Sequence, residues 1–437
     1  MRTRDILLVA LAALCVTYGG YNIGAAILTP KQGADFAPYY VTARLALDGK
    51  SENMYAGKEE WVKICASYGV RGATVEGEER TVIRMAYPPP AAILLSPLAL
   101  LPFNEARAVF FLASVVAVTV GLYLLMSNRP SERKGYATLG SILAAFIFFP
   151  TCDTLQMGQI NVLLLLCCAL ALFFARKGLE GISGFFLALA IVVKIFPAVL
   201  LAFFLLKRQY VAFATALVVI ALLVALSLAV FPLSLYGDYF AKTLPAKTSG
   251  GEALYRAQGF EGFFSRLLTS NDYTKAIADR PVIAKYLARG FGALGLLIAV
   301  LLTSRKAGRG TFRYEIEYGI YLAAAFLAMP TAWEHQAVFL LFLYVPLLDY
   351  LLIRKTGARA MLFFILASFC VWSFVLTRGH EYESLPHNLV GNAVMSAKFY
   401  ATVILFCSAA IVLLGRRRSD VLEMVQAKVK NPPEISR

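Results

Sequence analysis

Pro88-Pro89-Pro90-Ala91-Ala92-Ile93-Leu94-Leu95-Ser96-Pro97-Leu98-Ala99-Leu100-Leu101-Pro102 is the stretch whose reading decides how this chain meets a membrane. It is apolar throughout, yet between its outer prolines a helix would reach roughly 20 Å at 1.5 Å per residue, against a hydrocarbon core of ~30 Å. Counted as a span, it would invert every charge-rich loop that follows. It therefore reads as a helix lying on, or dipping into, the outer leaflet, and the rest of the topology follows from that choice.

The remaining sequence supports a membrane setting. The chain has 437 residues, of which 59% are hydrophobic and 16% charged, where a globular domain carries nearer a quarter. The net charge of +15 would suit nucleic acid if the cations shared one face. They sit instead in short runs between apolar stretches, a pattern of membrane anchoring, so no nucleic-acid partner is expected. Apolar runs fall at 6–28, 105–127, 138–150, 159–175, 182–193, 197–206, 211–231, 282–303, 315–330, 337–353, 360–377 and 389–414, about 12 transmembrane helices. The pair flanking Lys194-Ile195-Phe196-Pro197 also reads as one kinked helix. The first run follows Arg2 and Arg4 and is long enough to remain as an uncleaved span.

With the N-terminus inside, the cytoplasmic segments hold Arg129, Arg133 and Lys134; Arg176 and Lys177; Lys207 and Arg208; Arg305, Lys306, Arg309 and Arg313; Arg354, Lys355 and Arg359; and Arg416-Arg417-Arg418. The short outer segments hold Lys194 and Arg378. This asymmetry fixes the expected orientation. Two outer loops are then large, 30–104 and 232–281. In the first, Phe36-Ala37-Pro38-Tyr39-Tyr40-Val41-Thr42-Ala43-Arg44 suits a helix resting at headgroup level. Residues 1–415 form one integral-membrane domain, and 416–437 a cytoplasmic tail. Cys65 and Cys152 both fall in outer segments, where a disulfide between them is one open reading.

Ionisable residues at membrane depth are expensive and usually functional. Asp35, just after the first span, is either a helix cap or a catalytic carboxylate. His335, in Trp333-Glu334-His335-Gln336, is either a solvated interfacial residue or part of a site. Lys194 interrupts an apolar run; it either snorkels or meets an anionic phosphate. Gln156, Gln159 and Asn161 open an apolar helix and either tie helices together or line a polar pocket. All four features lie at one membrane surface in this topology. The histidines lack metal-ligand spacing, so no metal is expected. No cofactor is expected either, since neither a phosphate loop nor a dinucleotide fingerprint is present.

Gly33-Ala34-Asp35-Phe36 with Tyr39-Tyr40, Tyr87-Pro88-Pro89 before Ser96-Pro97-Leu98-Ala99-Leu100-Leu101-Pro102, Gly158-Gln159-Ile160-Asn161, Lys194-Ile195-Phe196-Pro197 and Trp333-Glu334-His335 stand in this order. Together they resemble a bacterial family of GT-C type glycosyltransferases that includes the polyprenyl-phosphate-mannose-dependent α-mannosyltransferases of phosphatidylinositol mannoside synthesis. The likeness runs from about residue 33 to 345.

The resemblance implies an all-α polytopic membrane enzyme of the inner (cytoplasmic) membrane, with interfacial helices in its first outer loop and its site on the extracytoplasmic side. Its partners would be a polyprenyl-phosphate sugar donor, a lipid or glycan acceptor, and membrane lipids. Asp35 matches the family's general base, and His335 its required histidine. Lys194, then Arg378, would bind the donor phosphate. Tyr39, Tyr87, Gln159, Asn161, Trp333 and Glu334 would bind substrate. The last ~90 residues are expected to add hydrophobic helices alone. Two alternatives stay open: a flippase or transporter of lipid-linked sugars, and an oligosaccharide ligase of related fold, for which Arg256, Arg266 and Arg280 of the second large loop are the candidates.

Overall fold

The computed structural model describes residues 35–70, 74–75, 78–79, 86–248, 253–305, 307–354, 359–376, 381–382 and 384–415. The expected first span, the tail, Arg378 and His380 lie outside them. The described chain is helical apart from one two-stranded ribbon, Thr74–Val75 with Glu78–Glu79. Its helices are α1 Phe36–Leu47, α2 Lys58–Ser67, α3 Pro90–Leu95, α4 Phe103–Met126, α5 Ser131–Ile147, α6 Phe149–Met157, α7 Asn161–Arg176, α8 Glu180–Val193, α9 Val199–Leu206 and α10 Tyr210–Val230. They continue with α11 Leu233–Asp238, α12 Leu244–Thr248, α13 Phe260–Leu268, α14 Pro281–Leu302, α15 Phe312–Ala328, α16 Leu341–Ile353, α17 Arg359–Phe374, α18 Leu389–Met395 and α19 Ala397–Leu414.

Every apolar run expected from 105 onward falls on a helix, but the count of twelve spans is not reached by length and composition. Among the described residues, five helical stretches are long and apolar enough to cross a bilayer: α4, α10, α14, Glu334–Ile353 and α19. A sixth arises if Arg133–Ile147 and Phe149–Met157, bent by 62°, form one span. Two of the shorter helices end at identifiable breaks. Pro150 enters at the bend, where it cannot continue the preceding hydrogen-bond ladder. Lys194 leaves α8 in an extended conformation (φ −145°, ψ 123°), so the run around it is two helices.

The deciding stretch forms α3 and a 3₁₀ turn, Ser96–Leu100, too short to cross. It is not free on a surface, however, because Pro90, Ala91, Ala92, Leu95 and Ala99 are buried. Helix α1 also departs from expectation. Apart from Arg44, the residues from Phe36 to Leu45 are buried rather than half-exposed. The Tyr40 hydroxyl donates to the Leu101 carbonyl at 2.9 Å and Arg44 Nη1 to that of Ala99 at 2.9 Å. These side chains close the open carbonyls of the neighbouring turn instead of reaching for headgroups. Cys65 and Cys152 are buried free thiols.

Helix α15 is the axis of the bundle, buried from Tyr314 to Leu327, its two glutamates near the start included. Its tyrosines find partners: Tyr318 donates to the Cys168 carbonyl at 2.9 Å and Tyr314 to Gln209 Oε1 at 2.9 Å. At Gly319 the chain after His335 passes so close that an added Cβ would stand 2.4 Å from the Phe342 carbonyl oxygen. Gly319→Ala is therefore expected to lower stability by about 1–3 kcal/mol, read as an earlier thermal midpoint in detergent.

At one end of the helices the cations form buried ion pairs. Arg129 pairs with Glu315 (2.8 Å) and with Asp349, and Arg176 with Glu315 (2.5 Å). Arg133 reaches Asp349 at 3.0 Å; Lys207 and Arg313 share Glu317, and Arg309 takes Glu180. The cations expected in the cytoplasmic segments thus also tie helices together, among them α4, α5, α7, α8, α15 and α16.

Candidate active site

The opposite end of the bundle gathers a different polar group. Helix α6 closes on Gly158 in the left-handed conformation (φ 67°), with Gln159 N–H bonded to the Thr154 carbonyl (2.9 Å) and Gly158 N–H to that of Leu155 (3.3 Å). This double closure favours glycine, which takes the left-handed conformation without strain. It turns the chain sharply, so that Gln159 and Asn161 enter the protein at the start of α7, both buried.

Gln159 Nε2 donates to Asp35 Oδ2 at 2.6 Å. Its Oε1 accepts from Tyr39 (3.0 Å) and Tyr87 (3.3 Å), whose hydroxyls lie 2.8 Å apart. Asp35 precedes α1, yet its side chain makes no capping bond to that helix. The carboxylate is thus held by a side chain from the far end of α6, and the capping alternative falls away. Burial pushes its pKa from 3.8 up to about 6, with Asp153 adding to the rise while the Gln159 hydrogen bond, Arg256 and Lys194 oppose it.

A second chain of contacts begins at Lys194, whose Nζ donates to Asn161 Oδ1 at 3.0 Å and lies 5.9 Å from the Tyr87 ring centre. Asn161 Nδ2 in turn donates to the His335 carbonyl at 3.2 Å, which also accepts from Thr154 Oγ1 at 2.8 Å. His335 is buried, its ring edge-on to Trp333 at 5.7 Å. Hydrogen bonds thus join Asp35, Gln159, Tyr39 and Tyr87 in one group and Lys194, Asn161 and the His335 main-chain carbonyl in another, and the Lys194 ammonium beside the Tyr87 ring brings the two groups together. Among the described hydrogen bonds Gln156 joins neither.

Beside His335, the expected Glu334 and Arg256 meet three residues that the sequence did not single out, Asp153, Tyr382 and Lys398. Arg256 Nη2 pairs with Asp153 Oδ1 at 2.7 Å, and its Nε lies 3.5 Å from Glu334 Oε2. Glu334 Oε1 accepts from Tyr382 (2.7 Å) and Lys398 (2.5 Å). The chain beyond 345 thus brings Tyr382 and Lys398 to the site, contrary to the expectation of hydrophobic helices alone. Lys398 sits in an apolar run much as Lys194 does, so the same signal was present. Asp153 was equally legible as a carboxylate inside an apolar stretch. Of the other second-loop arginines, Arg280 is exposed, whereas Arg266 is fully buried and donates to the Leu254 and Ala257 carbonyls at 3.1 and 2.8 Å. Among the described residues, no three His, Cys, Asp or Glu side chains are grouped to hold a metal ion.

A helical bundle with a cationic end, an apolar middle and a buried carboxylate–amide–ammonium cluster at the other end defines a multi-pass membrane protein with a polar interior site. Residues 86–330 match Glycosyltransferase family 87, and the chain belongs to that family. It is similar to the "Alpha-(1->3)-arabinofuranosyltransferase" of Mycobacterium tuberculosis (strain CDC 1551 / Oshkosh), 28% identical over 58% of this chain and 56% of that protein. It is also similar to the "Polyprenol-phosphate-mannose-dependent alpha-(1-2)-phosphatidylinositol mannoside mannosyltransferase" of Mycobacterium tuberculosis (strain ATCC 25618 / H37Rv), 29% identical over 75% of each chain. A third relative is the corresponding pentamannoside mannosyltransferase of Mycolicibacterium smegmatis, 29% identical over 63% of each. The chain spans little more than half the length of the arabinofuranosyltransferase.

Proposed function

We propose that this protein transfers a sugar from a polyprenyl-phosphate carrier to an acceptor hydroxyl, with inversion at the anomeric carbon. One observation carries the reading: a buried carboxylate, Asp35, and an ammonium, Lys194, stand in one polar cluster, tied in place by the amides Gln159 and Asn161. That pairing serves a displacement in which a proton leaves the nucleophile while negative charge grows on the leaving group. The acceptor oxygen bonds to the anomeric carbon, the bond from that carbon to the phosphate oxygen breaks, and its electrons depart with the phosphate. Asp35 takes the acceptor proton, and Lys194 meets the phosphate charge. His335 orients the sugars, with Tyr39, Tyr87, Trp333 and Glu334 around it.

Mannose is the first donor sugar, because the mannosyltransferase relative is matched over 75% of both chains. Arabinofuranose is the second, on the strength of the arabinofuranosyltransferase match. The acceptor side is a glycolipid or glycan. Helix α7 has 16 residues and separates Asn161 from the Arg176 ion pairs by about 24 Å. Placing the cationic end in the cytoplasm puts the cluster at the outer leaflet of the inner membrane, within reach of a lipid-borne donor.

The test is turnover by purified protein of polyprenyl-phosphate-mannose, and separately polyprenyl-phosphate-arabinofuranose, with phosphatidylinositol mannoside as acceptor. A new glycosidic product supports the reading. Movement of the donor between leaflets of a vesicle without a product would replace it with the transporter. Lys194→Met is expected to lower kcat about 100-fold, since it removes a charge that faces the leaving group. Lys194→Arg should retain part of the rate under donor saturation.

A further inference from the structure

We propose that Asp153 and His335 together form a subsite that receives one hydroxyl group of the bound sugars; the inference rests on the glycosyl-transfer reading above. Asp153 Oδ2 and His335 Nδ1 face each other 3.9 Å apart, too far for a hydrogen bond between them. Both atoms are buried without a hydrogen-bond partner, and their residues are 4% and 2% exposed. Such groups left unpaired cost about 1–3 kcal/mol each, so the gap is built for an occupant.

The two side chains are set before anything binds. Arg256 Nη2 holds Asp153 by its other oxygen, Oδ1, at 2.7 Å, which leaves Oδ2 directed at the imidazole. Thr154 and Asn161 both bond the His335 carbonyl, and Trp333 stands edge-on to its ring. An oxygen placed off the line between Nδ1 and Oδ2 can lie about 2.8 Å from each, an ordinary hydrogen-bond length.

The chemistry of the pair selects that oxygen. With its proton on Nδ1 the imidazole donates, while the ionised carboxylate accepts. A hydroxyl answers both, because it accepts once and donates once. A phosphate oxygen carries no proton to give and would be repelled by Oδ2, so this end of the cluster recognises sugar and leaves the phosphate to Lys194. Asp153 is accordingly a substrate-touching carboxylate distinct from the base, Asp35.

The experiment is a coupling measurement. Wild type, Asp153→Asn and His335→Gln are assayed with polyprenyl-phosphate-mannose donors lacking one ring hydroxyl at a time. A second arm uses octyl mannoside acceptors deoxygenated in the same way, which separates a donor hydroxyl from an acceptor hydroxyl. In wild type, one deletion should lower kcat/KM roughly 10- to 100-fold. In Asp153→Asn that same deletion should lose most of its effect, since the amide nitrogen now facing the gap no longer accepts, whereas the other deletions keep theirs. His335→Gln probes the same hydroxyl from the other side and serves if the Asn variant does not fold. Equal losses for every deoxy compound in wild type and in the variants, as a fixed water in the gap would give, overturn the subsite alone. Failure of the wild type to transfer either mannose or arabinofuranose from its polyprenyl phosphate would remove the glycosyl-transfer reading and the subsite with it.

Discussion

Asp35→Asn is expected to lower kcat by roughly 10²–10⁴-fold, the range that a positioned general base supplies, with little change in KM. The side chain's shape and its bond from Gln159 set the geometry, and Asn preserves the shape while removing the basic oxygen. The wild-type rate should follow the ionised carboxylate. With the free protein's pKa raised to about 6, kcat/KM is full above that value and falls tenfold per unit below it. Facing the carboxylate are Gln159, Tyr39 and Tyr87, with Arg256 and Lys194 holding its pKa down and Asp153 pushing it up. Folding raises this pKa, so the charge is carried at the expense of stability, a cost that sets in as pH rises between 3.8 and about 6. Asn carries no such charge, so the variant should be no less stable than wild type at pH 7. A rate profile without an inflection near 6, or an undiminished Asn variant, would take the base role away from Asp35.

At the other end, Glu315→Ala is expected to cost about 3–5 kcal/mol, because it strands buried guanidinium groups. Glu315 accepts from Arg129 Nη1 and Nη2 (3.1 and 2.8 Å) and from Arg176 Nη1 (2.5 Å), and its side chain is wholly inaccessible. Arg129 keeps Asp349, but Arg176 is left with carbonyl oxygens and Ser127. The loss should therefore fall mainly on Arg176, and Glu315→Ala combined with Arg176→Leu should recover part of it. Unfolding in detergent measures the difference. Turnover per folded molecule should stay near wild type, since α7 separates this cluster from Asn161. A single variant within about 1 kcal/mol of wild type would show that these pairs are solvated.

Much of the site was legible because carboxylates, amides and an ammonium stand out against apolar sequence. Asp35, Lys194, Gln159, Asn161 and His335 were all found that way, and the two hydrogen-bonded groups hold them. Lys398 and Asp153 carry the same signal but lie in runs dominated by aromatic and aliphatic neighbours. Nothing local marks Lys398 as the partner of Glu334, 64 positions away. The span count fared less well: hydropathy locates apolar runs, whereas breaks at Pro150 and Lys194 shorten the helices themselves.

By itself, the sequence determined that this chain is a bundle of apolar helices with its cations gathered in alternate loops, because the transfer free energy of each stretch belongs to its own side chains. It also favoured a turn at Gly158, whose left-handed backbone conformation glycine adopts without the strain a Cβ brings. What the tertiary structure decided is pairing. That Asp35 is gripped by Gln159 rather than capping α1, that Arg176 is an internal counter-ion, and that Asp153 confronts His335 across an open gap all depend on atoms more than a hundred residues apart. Electrostatic and hydrogen-bond energies depend on distance and burial, which folding alone sets.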